Sequence, residues 1–147
     1  MVSVLPDTST PFGQRVAAHL REDLVAWLTT VAADGTPQPN PVWFLWDGET
    51  ILIYTLNGAW RLEHIRRNQH VAFHLNGDEA GNDVVVITGE ARITTGEPLA
   101  DQTAAYVAKY AGHIKRAFSH GDNWTNDHWA QDYAVTVRIT PSRVRGF

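Results

Sequence analysis

The residues best suited to chemistry are Thr55 and Arg61. Thr55 ends an apolar, β-prone run, and Arg61 falls where the pattern turns helical. A hydroxyl and a guanidinium at the opening of a helix, with the backbone N–H groups and dipole found there, make a combination that holds a phosphorylated ligand. Trp60 adds an aromatic wall beside Arg61. Arg66, Arg67 and His70, on or just after the same helix, would extend positive charge along a longer groove. At this level an Arg61 that merely decorates a solvated helix is the commoner explanation, and for Arg66, Arg67 and His70 a solvated helix face is equally open.

Other chemistries find less support. Seven histidines invite a metal reading, but His70 and His74 on one face of a strand stand about 13 Å apart, too far for one zinc. No His-Glu pair at ligand spacing accompanies them. Cysteine is absent, which removes disulfides, thiol nucleophiles and thiolate sites and points to a reducing cytosol. No Ser, His and Asp set sits in a nucleophile-elbow sequence. His113, His120 and His128 flank an aromatic, polar stretch, Ser119 to Asp132, and one of them could donate a proton. For each of the three, a surface histidine is the commoner explanation, and no catalytic side chain is assigned.

The elements that must position these groups are mainly strands. Val25 to Ala32 alternates, with Val25, Trp27, Thr29 and Val31 on one face, and a turn follows at Ala33 to Pro37. Asn40 to Trp46 reads as the next strand. Asp47-Gly48 is a hairpin signal that returns the chain through Ile51 to Leu56. Ala59 to Asn68 takes helical spacing, with Asn57 available as its cap. Val71 to Leu75 and Val84 to Ile87 are further strands, separated by a polar loop. Leu99 to Ala111 is a helix with Pro98 in its first turn and Gly112 as its end. Tyr133 to Thr140 is the closing strand, before Pro141 and a basic tail. Together these predict a mainly β domain spanning 1–147: a nearly closed barrel of six strands with peripheral helices.

The 147 residues, 44% hydrophobic and 19% charged, suffice for one such core. A formal charge of −4 argues against a nucleic-acid surface. No apolar run approaches the roughly 18 residues of a membrane span, and the first residues lack a leader pattern. A soluble, cytoplasmic protein acting on a small molecule is the expectation.

Ile53-Tyr54-Thr55-Leu56-Asn57-Gly58-Ala59-Trp60-Arg61, continuing to Arg66-Arg67-Asn68-Gln69-His70-Val71-Ala72, resembles the strand-helix-strand phosphate site of the pyridoxamine 5′-phosphate oxidase-like split-barrel superfamily. Thr29 to Pro37 followed by Asn40-Pro41-Val42-Trp43-Phe44 resembles the first hairpin of that superfamily. Gly89-Glu90-Ala91 is similar to its later strand, and Ile139 to Phe147 to the close of its F420-dependent branch. The resemblance implies a split-barrel homodimer with two cofactor sites at the subunit interface. It implies that Thr55 and Arg61 bind a phosphate beside Tyr54 and Trp60, that Arg66 contributes, and that Asn40, Pro41, Val42 and Trp43 lie along the pyrimidine edge of a ring. Ala59-Trp60-Arg61 departs from the Ser-Arg-Lys usual in pyridoxamine phosphate oxidation, and members that carry out that oxidation have a further pyridoxal-binding segment beyond the part that matches Ile139 to Phe147, which is not expected here. Oxidation of pyridoxamine phosphate is therefore not expected, and the resemblance to the F420-dependent branch implies hydride transfer between the deazaflavin coenzyme F420 and a small unsaturated or quinone-like molecule. FMN in the same site, or non-catalytic binding of flavin, deazaflavin or haem, are the alternatives.

Overall fold

The computed structural model describes residues 4–117 and 126–147, with side chains at 4–113 and 129–147. Seven strands form one antiparallel sheet: β1 (Ala26–Val31), β2 (Pro37–Val42), β3 (Leu45–Trp46), β4 (Ile51–Thr55), β5 (His70–Leu75), β6 (Val85–Thr94) and β7 (Val135–Gly146). Helices α1 (Pro11–Glu22), α2 (Trp60–Arg67), α3 (Ala104–Ala117) and α4 (Asn126–Asp132) surround it. The strand order is β2-β1-β5-β6-β7-β4-β3. The two ends of this order, β2 and β3, are joined in the chain by Trp43 and Phe44 alone. Two residues span less than about 11 Å, so the sheet must curl until its edges nearly meet. The result is a split β-barrel, open along the Trp43–Phe44 seam.

The strand expected over Asn40 to Trp46 is therefore two, β2 and β3, which turns six expected strands into seven. The Asp47-Gly48 hairpin forms, but the strand it pairs with β4 is the short β3, through Leu45↔Leu52 and Trp46↔Ile51. In β1 the alternation holds with the inner face reversed from the apolar reading. Ala26, Leu28 and Thr30 are buried, and Trp27, Thr29 and Val31 are half-buried.

Two hydrophobic clusters flank β4, which explains why all five of its residues are buried. Ile51 and Ile53 face the barrel interior with Leu28, Phe44, Phe73, Ile87 and Ile139. Leu52 and Tyr54 face outward, against Tyr106, Tyr110 and Trp129 of α3 and α4. Thr55 shares the inward parity of Ile51 and Ile53 and lies at the barrel mouth.

Helix α1 lies in a stretch for which the sequence reading proposed no element. Thr10 caps it by accepting from Gly13 N–H (3.0 Å), and Pro11 occupies its first position. Neither proposed end of the later elements holds. Helix α3 begins at Ala104, after a short 3-10 turn at Ala100–Gln102, and continues through Gly112 to Ala117. Intrahelical bonds there outweigh glycine's modest interior cost. Strand β7 likewise runs through Pro141 to Gly146, because the register with β6 shifts between Thr88 and Gly89 and seats the proline opposite Gly89. A Cβ on Gly89 would stand 2.3 Å from the Thr140 carbonyl oxygen, so only glycine admits that approach.

The open seam leaves main-chain groups that no strand satisfies, and α3 supplies their partners. The Tyr110 hydroxyl accepts from Phe44 N–H (2.9 Å) and donates to the Leu24 carbonyl (2.6 Å). Lys109 Nζ donates to the Phe44 carbonyl (2.8 Å) and sits 3.8 Å from the centre of the Phe44 ring. Burial pulls the Lys109 pKa down to about 8.

Candidate functional site

Between β4 and α2 the chain turns tightly: Ala59 N–H donates to the Leu56 carbonyl (3.2 Å), with Gly58 at φ +84°. This turn sets the start of α2 against the end of β4. The helix cap is Ala59, not Asn57, and it makes no side-chain capping bond. Leu62 N–H returns to the Ala59 carbonyl (3.0 Å). The N–H groups of Trp60 and Arg61, at the positive end of the helix, are left without a capping side chain.

A cleft of about 210 Å³ opens at that point. The seam contributes Pro41, Val42 and Trp43, the end of β4 contributes Tyr54, Thr55 and Leu56, and α2 contributes Ala59 and Arg61. Trp129 of α4 and Tyr133 just beyond it complete the wall. Two features of the lining are costly in the free protein. The Thr55 hydroxyl is buried with no hydrogen-bond partner, and the half-buried Arg61 has no ion pair or hydrogen bond among the described residues. Burial pushes the Arg61 pKa below its ordinary value, opposed only by Tyr133. A cation held in this way, beside an unsatisfied hydroxyl and uncapped N–H groups, is arranged to receive an anion. The residues present therefore fit a phosphate.

The cleft falls short of the roughly 300–1,000 Å³ of ordinary ligand pockets, but it does not end at Arg61. Ala59 and Arg61 also line a neighbouring space of about 510 Å³, with Gln38 and Asn40 on β2 and Trp60 and His64 on α2. His64 and Trp60 in turn border a third, of about 570 Å³, which reaches Arg67. The three make one groove between α2 and the β2 edge. His64 is anchored in it by the buried Thr30, with Nδ1 2.8 Å from Thr30 Oγ1.

The β2 edge of this groove has unusual main-chain chemistry. Ala32 N–H donates to the Thr36 carbonyl (2.9 Å), so the main chain of 36, 38, 40 and 42 faces β1 and that of Pro37, Pro39 and Pro41 faces outward. Proline has no N–H to donate. The outward edge therefore presents carbonyl acceptors alone and cannot template another strand.

Of the residues singled out in the sequence, Asn40, Pro41, Val42, Trp43, Tyr54, Thr55, Trp60 and Arg61 all line this groove. Tyr54 contributes its ring. Its hydroxyl turns away to the Pro98 carbonyl (3.0 Å) and Thr103 Oγ1 (2.7 Å), and burial raises its pKa. Arg66 stands apart, exposed and ion-paired with Glu63. The cation farther along the groove is its neighbour Arg67. His70 is exposed at the start of β5 and borders none of the three spaces. Trp124, His120 and the side chain of His128 lie outside the described residues. His64 and Tyr133 were not singled out in the sequence. Helical spacing could have found both, since His64 follows Arg61 by three and Tyr133 follows Trp129 by four. Among the described residues no cluster of metal-ligating side chains occurs, and no helix is long and apolar enough to cross a membrane.

Comparison with solved structures gives the fold independent context. An F420 reductase superimposes with a TM-score of 0.64 at 24% identity, covering 87% of this chain and 94% of that one. A conserved hypothetical protein from Mycobacterium tuberculosis superimposes at 0.67 and 21% identity, covering 99% of this chain and 87% of that one. HutZ, a haem storage protein from Vibrio cholerae, does so at 0.66 and 16% identity, covering 93% and 95%. No curated protein sequence matches. The family model for pyridoxamine 5′-phosphate oxidase, in contrast, matches residues 12–146, essentially from the start of α1 to the end of β7, and the chain belongs to that family.

Proposed function

We propose that this protein is an oxidoreductase that transfers hydride between F420 and a small unsaturated or quinone-like substrate, working as a homodimer in the cytoplasm. The observation that carries the reading is the half-buried, unpaired Arg61 beside the unsatisfied Thr55 hydroxyl at the uncapped start of α2. These groups would hold the coenzyme's phosphodiester. The groove continues past His64 to a space lined by Arg67 together with Asp34 and Glu63, and this length suits a ligand that extends beyond the first phosphate, and so F420 over FMN. FMN in the same site is the second reading, supported by the concentration of donors around one small cleft.

When bound, the deazaflavin ring supplies the hydride chemistry. The chain's tasks are to place the ring and keep water from it. The outward carbonyl of Pro41 would be placed to accept from a ring N–H along the β2 edge, while Trp43 and the Trp129–Tyr133 pair would give the ring apolar walls. Trp60, 80% exposed at the open side of the groove, is the surface we assign to the second subunit.

Binding tests this directly. F420 fluorescence should be quenched when the purified protein is added, whereas a yellow protein carrying flavin bands would select FMN. Arg61→Ala should weaken affinity by a charge-assisted hydrogen bond, about 1.5–3 kcal/mol or one to two decades. Absence of binding by either coenzyme at micromolar concentration would overturn the proposal.

A further inference from the structure

Trp129 occupies an odd position in the cleft. It is 2% exposed and stacked between rings, with Tyr133 at 4.6 Å (8° interplanar) and Tyr106 at 5.6 Å (26°), and Trp43 packs against it at 5.9 Å. Such packing suits a phenylalanine as well as a tryptophan, except for one atom. The indole Nε1–H is buried and makes no hydrogen bond among the described residues. A buried donor without a partner is destabilising, and native structures rarely keep one without a reason. Four buried side-chain polar atoms are unpartnered among the described residues, on Thr55, Asp101, Tyr106 and Trp129. Two of those four residues, Thr55 and Trp129, line the same small cleft as the unpaired Arg61.

We propose that Trp129 is a third binding group for the ligand's oxyanion, its indole N–H donating to the same phosphate that Arg61 and Thr55 hold. The proposal rests on the phosphate reading of the cleft and adds to it a donor from the C-terminal part of the chain, outside the β4–α2 segment. The three groups come from separate elements: α4, β4 and α2. An anion seated against Arg61 draws on both buried groups after a slight outward turn of their side chains. The unsatisfied N–H is a cost to the free protein that binding of the anion removes. Trp129 thus distinguishes phosphorylated from unphosphorylated ligands of the same ring.

The experiment compares Trp129→Phe with the unaltered protein for two ligand pairs, FMN against riboflavin and F420 against the deazaflavin riboside that lacks the phosphodiester. Affinities are read by fluorescence titration. We expect the unaltered protein to prefer the phosphorylated member of at least one pair, and the variant to lose about tenfold of that preference, the phosphorylated member losing more affinity than the unphosphorylated one by that factor. Equal losses for both members would make Trp129 a packing residue and overturn the proposal, as would no loss at all; either result leaves the Arg61–Thr55 site standing. If the unaltered protein binds none of the four, the phosphate reading itself fails and takes this inference with it. Should Trp129→Phe not fold, benzothienylalanine at position 129 keeps the ring's shape and deletes only the donor, and the same comparison applies.

Discussion

His19 should make the stability of this protein fall between about pH 6 and pH 8, and its replacement by glutamine should flatten that fall. The imidazole lies between two carboxylates, with Nδ1 2.6 Å from Asp23 and Nε2 2.9 Å from Asp83. Both ring nitrogens can donate only in the imidazolium; a neutral ring would turn a lone pair toward one carboxylate. Burial opposes the charge, but the two hydrogen bonds and the attraction of both carboxylates outweigh it, and the pKa is raised above its ordinary value. A raised pKa means that the folded state holds the proton when the unfolded state releases it. The stabilisation is complete below the unfolded pKa, near 6.5, and is lost as pH rises through the folded one. With the His19 side chain 16% exposed and its partners 28% and 37% exposed, solvent screens both pairs. The stake is accordingly about 1–2 kcal/mol rather than the full value of two charge-assisted bonds. Chemical denaturation at pH 6 and pH 8 would measure it. The unaltered protein should lose about 1–2 kcal/mol more than His19→Gln over that interval. Parallel curves for the two proteins would refute the reasoning, and so would stability that rises with pH only when His19 is present.

Two further substitutions probe the frame around the cleft. Gly89→Ala drives a Cβ into the Thr140 carbonyl at the β6–β7 bulge, a backbone clash that should cost about 3 kcal/mol or more and lower the melting temperature by roughly 6 °C or more. Tyr110→Phe leaves Phe44 N–H buried without its acceptor and should destabilise by about 1–3 kcal/mol in urea melts. Because Trp43 stacks on Tyr110 at 4.7 Å and 6°, the same variant should also weaken coenzyme binding.

Much of this architecture is legible in the sequence because strands signal themselves by local alternation and turn chemistry. Asp47-Gly48 announces its hairpin, and Val71 to Leu75 its strand. What local pattern does not carry is the effect of partners distant in the chain. Pro141 reads as a stop, yet β7 passes through it because Gly89, 52 residues earlier, lets the two backbones close at a bulge. Gly112 reads as a helix end, but its i→i−4 bonds cost little to keep. Arg66 and Arg67 are adjacent and chemically alike, and only the helical phase of α2 sets one beside Glu63 and the other in the groove. Asn57 reads as a cap, but Gly58 carries the turn on and makes Ala59, two residues later, the cap.

That last difference bears on function. An asparagine cap would have satisfied an N–H at the start of α2 and placed a competing acceptor where an anion is to sit. Alanine leaves those donors available, as Arg61 and the Thr55 hydroxyl are left available by the lack of a hydrogen-bond partner among the described residues. The barrel supplies the same economy at its seam. Closing β2 onto β3 would satisfy Trp43 and Phe44 with a strand ladder and fill the space the cleft occupies. Keeping it open requires α3 to satisfy Phe44 through Tyr110 and Lys109, and α4 to wall the opening with Trp129. The β4–α2 segment, where the family resemblance is densest, therefore provides only part of the site. Its remaining wall depends on helices from the last third of the chain, and variants there should alter ligand binding even where they touch no part of that segment.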